Sequence, residues 1–422
     1  MRHFQNIFSV TGALLVSIVG AIIDPDTQAT TARAITNSYI VVLKNDASPA
    51  VFDQHISWLK GANEQLGAPE FAGQKYKYNI GSFKGYAGEF NDLTVARIKE
   101  RPEVAFIERN GIATADDCAS QRINPDPSEG EWGLGRISHK STGPWSQYVY
   151  TENKSGCVTP VFAYIVDSGI LARHEEFEGR AMQIWKDQPS WADEDDCGHG
   201  THVAGIIGGK TYGVEKSATI YGVKVLRPGF LGSCSGGWAG VIAGINFAFD
   251  HAGGNRSKSI INLSLGGTKS RAINMAVDNC ITGGLTVVVS AGNDGDDACA
   301  SSPASVQQAI TVSATDSLDR VPDWANHGCC VDIFGPGVNV KSSYIDSTGR
   351  NNVTEILSGT SMAAPHIAGV VMSNKCLYGN DTPKKDWRQL MENAINGSIT
   401  GNRCINDCCS PDLLAFNGGC AT

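Results

Sequence analysis

Four side chains in this chain are of the types that acyl transfer at a peptide or ester carbonyl requires. Asp167 ends the run Ile165-Val166-Asp167-Ser168-Gly169. His199 lies in Gly198-His199-Gly200-Thr201-His202-Val203-Ala204-Gly205, 32 residues further on (199 − 167). Ser361 lies in Ser358-Gly359-Thr360-Ser361-Met362-Ala363-Ala364-Pro365-His366. A serine hydroxyl is a poor nucleophile until an adjacent base takes its proton, and a carboxylate behind the imidazole orients the ring and stabilises its charged form. Asp, then His, then Ser is one of the chain orders in which such triads occur. Asn293, in Ser290-Ala291-Gly292-Asn293-Asp294, is the candidate side-chain donor to a developing oxyanion, with the Ser361 main-chain N–H as its partner. Read singly, a serine before a helix is usually a cap and an asparagine after a strand is usually a turn residue. The combined context argues for chemistry.

The elements that must position these groups are legible as short apolar runs rich in β-branched residues. They are 162–166, 220–225, 260–265, 285–289 and 310–312, with helical patterns between them. Near-continuous apolar strands imply burial on both faces, hence an α/β fold with a doubly wound parallel sheet flanked by helices. Ligands of such sheets bind beyond the carboxyl ends of the strands. Asp167, Ser264-Leu265-Gly266 and Asn293 each fall at such an end. Residues 362–368 read as a buried helix with Pro365 in its first turn, so Ser361 sits at a helix N-terminus, where partial positive charge favours an oxyanion. His202 follows His199 by three residues, but with no His-Glu-x-x-His pattern and no third ligand it reads as structural. The acidic run Asp193-Glu194-Asp195-Asp196 reads as a solvated loop.

The 422 residues exceed one average domain, and the net charge of −9 argues against a general nucleic-acid or membrane-surface role. Residues 1–23 form a short charged start followed by an apolar run, as in a secretory signal peptide whose end lies anywhere up to about 34; an uncleaved anchor is the rival reading. Residues 35–113 contain a β-α-β-α-β pattern (strands near 39–43, 86–90 and 104–108), and the polar stretch 114–131 reads as a linker. The remainder, 132–422, is the large unit with a Cys-rich tail. All 13 cysteines lie at or beyond Cys118, which points to disulfides in an oxidising compartment. Sequons occur at Asn153, Asn255, Asn262, Asn352, Asn380 and Asn396, and Asn262, inside an apolar strand, is expected to carry no glycan.

The segments around Asp167, His199 and Ser361 resemble the subtilisin superfamily, and their surroundings look most like its proteinase K branch, from about Trp132 to Asn417. The family usually has Asp-Thr-Gly where this chain has Asp167-Ser168-Gly169. The stretch Phe83 to Phe90 resembles the propeptide of secreted subtilisins, which implies a small ferredoxin-like domain that assists folding and inhibits the enzyme, with processing near Ala115 to Asp117. The resemblance further implies that Ser264, Leu265 and Gly266 line one side of the first specificity pocket, and that Ala291 and Gly292 close its wall. It implies a bridge Cys299–Cys330, for which Cys329 competes; Cys234 is left to pair with Cys197 or Cys280, and the four cysteines from Cys404 to Cys420 look locally stapled. It places a structural Ca²⁺ on the carbonyls of Gln307 and Ala309 and the carboxylate of Asp332, oxygen ligands that suit this cation. The expectation is a secreted serine endopeptidase made as a zymogen, acting on protein and peptide substrates with an apolar or aromatic preference. Its own propeptide acts as intramolecular inhibitor; no organic cofactor, nucleic acid or stable membrane association is implied, and a monomer is expected. The rival is a catalytically silent protein that binds a partner through the same groove or through its propeptide. The presence of all three triad members and the oxyanion asparagine speaks against it.

Overall fold

The computed structural model describes residues 34–65, 73–80, 83–111, 118–151, 160–229, 233–405 and 408–418. The expected signal peptide and the processing region 115–117 lie outside the described residues. The chain divides into two units, Met1–Ala115 and Asp116–Thr422.

The first unit is a four-stranded antiparallel sheet backed by two helices, in the order strand Ala34–Leu43, helix Pro49–Gln65, strands Gly73–Ile80 and Phe83–Glu89, helix Asp92–Lys99 and strand Val104–Gly111. One face buries Tyr39, Val41, Leu43, Tyr86, Val104 and Ile107 against Phe52, Leu59, Val95 and Ile98 from the helices. This is a ferredoxin-like β-α-β-β-α-β arrangement with one strand more than the sequence pattern predicts. The additional strand, Gly73–Ile80, alternates Tyr76, Tyr78 and Ile80 with Lys75, Lys77 and Asn79. It pairs only with Phe83–Glu89 at the sheet edge, where lysines are tolerated and discourage further pairing.

In the second unit a nine-stranded sheet runs through the middle. Its spatial order is Ile395–Asn396, Leu413–Leu414, Ile333–Pro336, Ile310–Thr315, Thr286–Ser290, Ser259–Leu263, Phe162–Asp167, Thr219–Lys224 and Ala181–Lys186. All neighbours are parallel except the first pair. Side chains alternate between the faces. Ala163, Ile165, Ile220, Val288 and Val312 pack on one side against the helices His199–Gly208 and Thr360–Tyr378. Tyr164, Val166, Val223, Val287 and Val289 pack on the other against Trp238–Ala252 and Arg271–Thr282. After Thr219–Lys224 the chain crosses Phe162–Asp167 to continue on its other side, so the topological switch lies at the carboxyl end of the Asp167 strand.

The described part of the expected linker, residues 118–131, is not free chain. Cys118–Arg122 forms an antiparallel pair with Gln147–Thr151, and Pro127–Glu129 forms a short 3-10 turn, so the second unit begins well before Trp132. The strand is polar and carries no apolar alternation, because only its pairing, not a core face, defines it. Among the described residues no helix is long and apolar enough to cross a membrane.

Candidate active site

Asp167 closes its strand with a fully buried side chain. Its Oδ1 and Oδ2 accept from His199 Nδ1 at 2.8 and 3.0 Å, and Oδ1 also accepts the Ser168 N–H at 2.7 Å. His199 opens the helix His199–Gly208 and keeps about a quarter of its side chain exposed (24%). The flanking glycines are required by contact. A Cβ on Gly198, which has φ 92°, would fall 2.4 Å from the Tyr344 ring, and one on Gly200 would fall 2.1 Å from the Gly169 carbonyl oxygen. Burial, the largest single influence, favours neutral His199. The charge and hydrogen bond of Asp167, joined by the charge of Asp195, outweigh it and raise the imidazole above its ordinary value.

Asp195 corrects the reading of the acidic run as solvated. Asp193 is exposed and Glu194 half-buried, whereas the Asp195 carboxylate is buried and accepts from the N–H groups of Cys197, Gly198 and Thr201, from the Thr201 hydroxyl and from the Ser168 hydroxyl. The Ser168 hydroxyl in turn accepts the Gly200 N–H at 2.9 Å. Asp195 and Ser168 thus bind the start of the His199 helix to the end of the Asp167 strand. A hydroxyl at position 168 is what this linkage needs, and serine supplies it.

Ser361 is the second residue of the helix Thr360–Tyr378, which begins at Thr360. Pro365 is therefore inside the helix and not in its first turn, as the sequence suggests; the early start places the Ser361 N–H among the donors that the helix leaves unpaired. Asn293 is held by Thr360, whose N–H and hydroxyl both donate to Asn293 Oδ1 at 2.9 Å. This fixes the amide so that Nδ2 is the end left free. A Cβ on Gly359 would sit 3.5 Å from Asn293 Nδ2 and 3.6 Å from the Ser361 N, so both nitrogens lie near one point. The Ser361 hydroxyl donates to the Ser264 carbonyl at 3.1 Å. Among the described residues no hydrogen bond joins it to His199, which differs from the sequence expectation. The Ser264 carbonyl, just past the end of its strand, is the acceptor that holds the hydroxyl proton in this state.

His199 and Ser361 line one cleft of about 710 Å³ with Ser264, Leu265, Gly266, Gly267, Leu226 and Trp238. Trp238 lies over Gly267, where a Cβ would meet its ring at 3.0 Å. Ala291 and Gly292, expected to close the specificity pocket, are not among the lining residues. Ala291 is fully buried and its carbonyl accepts from Asn326 Nδ2; the Gly292 N–H goes to the Thr360 hydroxyl.

His202 is structural. Its Nε2 hydrogen-bonds the Val340 and Glu355 carbonyls, and burial pushes its imidazole down to about 3. The bridges Cys299–Cys330 and Cys197–Cys234 are both formed, the latter on the cleft rim. Cys280 is free and buried. Cys329 pairs with Cys408, so the tail is tied to the main body as well as stapled locally by Cys404–Cys409. Sequence reasoning missed Asp195, Ser168 and Thr360 as supports, although each is within a few residues of a reactive group.

Residues 161–407 match the model of the Subtilase family, and residues 38–116 match that of Peptidase inhibitor I9. The chain is 42% identical over 384 residues to Subtilisin-like protease 2 of Pseudogymnoascus destructans, covering 91% of this chain and 90% of that protein. It is 38% identical over 427 residues to Alkaline protease 1 of Emericella nidulans, covering 99% of both. A crystal structure of a cold adapted subtilisin-like serine proteinase superposes with a TM-score of 0.60 at 36% identity, covering 68% of this chain and 98% of the other. A parallel sheet that carries an Asp–His pair and a helix-borne serine defines a subtilisin-like fold, and the chain belongs to the subtilase family. It is a serine endopeptidase built as a zymogen, with an I9-type propeptide ahead of the protease unit.

Proposed function

We propose that this is a secreted endopeptidase in which Ser361 is the nucleophile, His199 its general base and Asp167 the group that orients His199. The closeness of Asn293 Nδ2 and the Ser361 N to one point, with His199 and Ser361 on the same cleft, carries this reading. A peptide lies extended in the cleft and its scissile carbonyl oxygen enters between those two donors. Ser361 attacks as His199 takes its proton, and the charge that develops on the imidazole is met by Asp167. Collapse of the tetrahedral species expels the amine, which takes the proton back from His199, and water resolves the acyl-enzyme by the same steps. Leu226, Trp238, Val241 and Leu265 give the cleft an apolar side, which supports a preference for apolar or aromatic side chains. An extracellular location fits the disulfides and the exposed sequons at Asn255, Asn352 and Asn396; Asn153 lies outside the described residues.

We further propose a structural calcium ion on the carbonyls of Gln307 and Ala309 and the carboxylate of Asp332, hard oxygen donors of the kind this cation takes. Asp332 is largely buried and its carboxyl is pushed up to about 6 by burial, with only the Thr311 N–H and the Trp387 side chain opposing the shift. A hard cation held by these oxygens would supply the missing countercharge and brace the strand Ile310–Thr315.

The test is labelling of the processed protein by a serine-directed fluorophosphonate, with and without Ser361→Ala. Labelling lost in the variant is the expected result. Equal labelling of both forms refutes the assignment.

A further inference from the structure

In an α-helix the N–H of residue 365 would donate to the carbonyl of residue 361. Pro365 has no N–H, so the Ser361 carbonyl lacks its usual partner within its own helix. It finds one outside. The Ser264 hydroxyl donates to it at 2.9 Å, while the Ser361 hydroxyl donates back to the Ser264 carbonyl at 3.1 Å. The nucleophile is thereby held at both its main chain and its side chain by one residue of a different element.

The Ser264 hydroxyl has a single proton, and the bond to Ser361 uses it. Its oxygen must therefore accept from Asn262, whose Nδ2 lies 2.9 Å away. That fixes the Asn262 amide with its NH₂ towards Ser264 and leaves Oδ1 without a partner among the described residues. Asn262 is fully buried between Ile261 and Leu263, in a strand whose other side chains are mostly apolar. A half-satisfied amide in such a place opposes folding, and an apolar residue would pack there without that cost. The strand is also specially placed. Ser259–Leu263 lies between Phe162–Asp167, which carries Asp167, and Thr286–Ser290, which leads to Asn293; Asn262 is in register with Ile165 on one side and Val288 on the other.

We propose that Asn262 and the Ser264 hydroxyl form a positioning relay for Ser361. It takes over the helix hydrogen bond that Pro365 deletes and sets the Ser361 backbone against the acid-bearing strand and the oxyanion donor. The inference rests on Ser361 being the nucleophile. Neither the Asn262 amide nor the Ser264 hydroxyl touches substrate in this role, and both act through the Ser361 carbonyl.

The test uses the processed enzyme carrying Ser264→Ala, Asn262→Leu and Pro365→Ala, singly and with the first two each combined with the third. Ser264→Ala and Asn262→Leu are expected to lower kcat by about tenfold to a hundredfold, the range for a displaced reacting group, with KM within about twofold. Pro365→Ala returns an N–H to the Ser361 carbonyl, so in that background the loss from Ser264→Ala should shrink to a few-fold. A merely structural role would shift melting temperature but show no such rescue. If a Pro365→Ala form does not fold, the fluorophosphonate labelling rate per folded molecule of the two single variants decides, since the relay requires both to be slowed alike. Unchanged kcat in both single variants, or equal losses with and without Pro365, overturns the relay. If labelling is still lost with Ser361→Ala, such a result removes the relay alone. If labelling persists in Ser361→Ala, it is the nucleophile assignment that fails.

Discussion

Replacing Thr360 by valine removes one hydroxyl with little change of shape, and its effect can be worked out from the contacts. The hydroxyl donates to Asn293 Oδ1 at 2.9 Å and accepts the Gly292 N–H at 3.1 Å, while the Thr360 N–H still donates to the same Oδ1. Complete loss of the Asn293 donor, as in Asn293→Ala, should lower kcat by about 10²–10³, a magnitude borrowed from a subtilisin. Thr360→Val removes one of two anchors, each a neutral hydrogen bond of about 1 kcal/mol, which corresponds to roughly a fivefold drop in correctly aimed amide. The expectation is therefore a fall in kcat of about fivefold, far short of Asn293→Ala, with KM little changed because the ground-state carbonyl does not depend on this donor. The Gly292 N–H left without its acceptor costs about 1–3 kcal/mol of stability, visible as a lower melting temperature. Steady-state kinetics on a chromogenic peptide, with calorimetry, separates the two effects. In the Asn293→Ala background Thr360→Val should lower the melting temperature again but leave kcat where it was. An equal loss of kcat in both backgrounds would show that Thr360 does not act through Asn293, and the reasoning would fail.

Two further outcomes follow from charge. His199 must be neutral to accept a proton and its imidazole is raised, so kcat/KM should climb with pH through a midpoint above the ordinary histidine value; Asp195→Asn, which removes a charge that raises it, should move that midpoint to lower pH. A wild-type midpoint below the ordinary value would contradict the Asp167–His199 pairing. Asp332, raised to about 6, takes up a proton more readily when folded, so its contribution to stability is present at low pH and is lost as pH rises through about 6. Calcium should then raise the melting temperature more at about pH 7.5 than at about pH 5, and the increment should vanish in Asp332→Asn; an unchanged increment in the variant would dismiss the site.

The parallel sheet was legible because burial on both faces leaves runs such as Ile260 to Leu265 with little polar interruption, and strand ends then locate Asp167, Ser264 and Asn293 without reference to distance. What escaped is what sequence periodicity does not encode. Gly73–Ile80 is an edge strand with lysines on alternate positions, so its pattern reads as solvated. Cys118–Arg122 is defined by pairing alone. Asp195 sits in an acidic run, and its burial follows from the turn 197–201, which points three N–H groups inwards. The acceptor that the Ser361 hydroxyl takes, the Ser264 carbonyl, comes from a distant main-chain atom, which no residue type specifies.

Asn262 begins an Asn-Leu-Ser signal for oligosaccharide attachment, yet its NH₂ is the group turned towards Ser264 in a sealed strand. In an export route that attaches glycans before folding ends, the chain meets the transferase while this signal is still open. A sugar there would occupy the same nitrogen and could not enter the sheet, so such copies would be lost to quality control. Yield in a glycosylating host then depends on how quickly the central strands close.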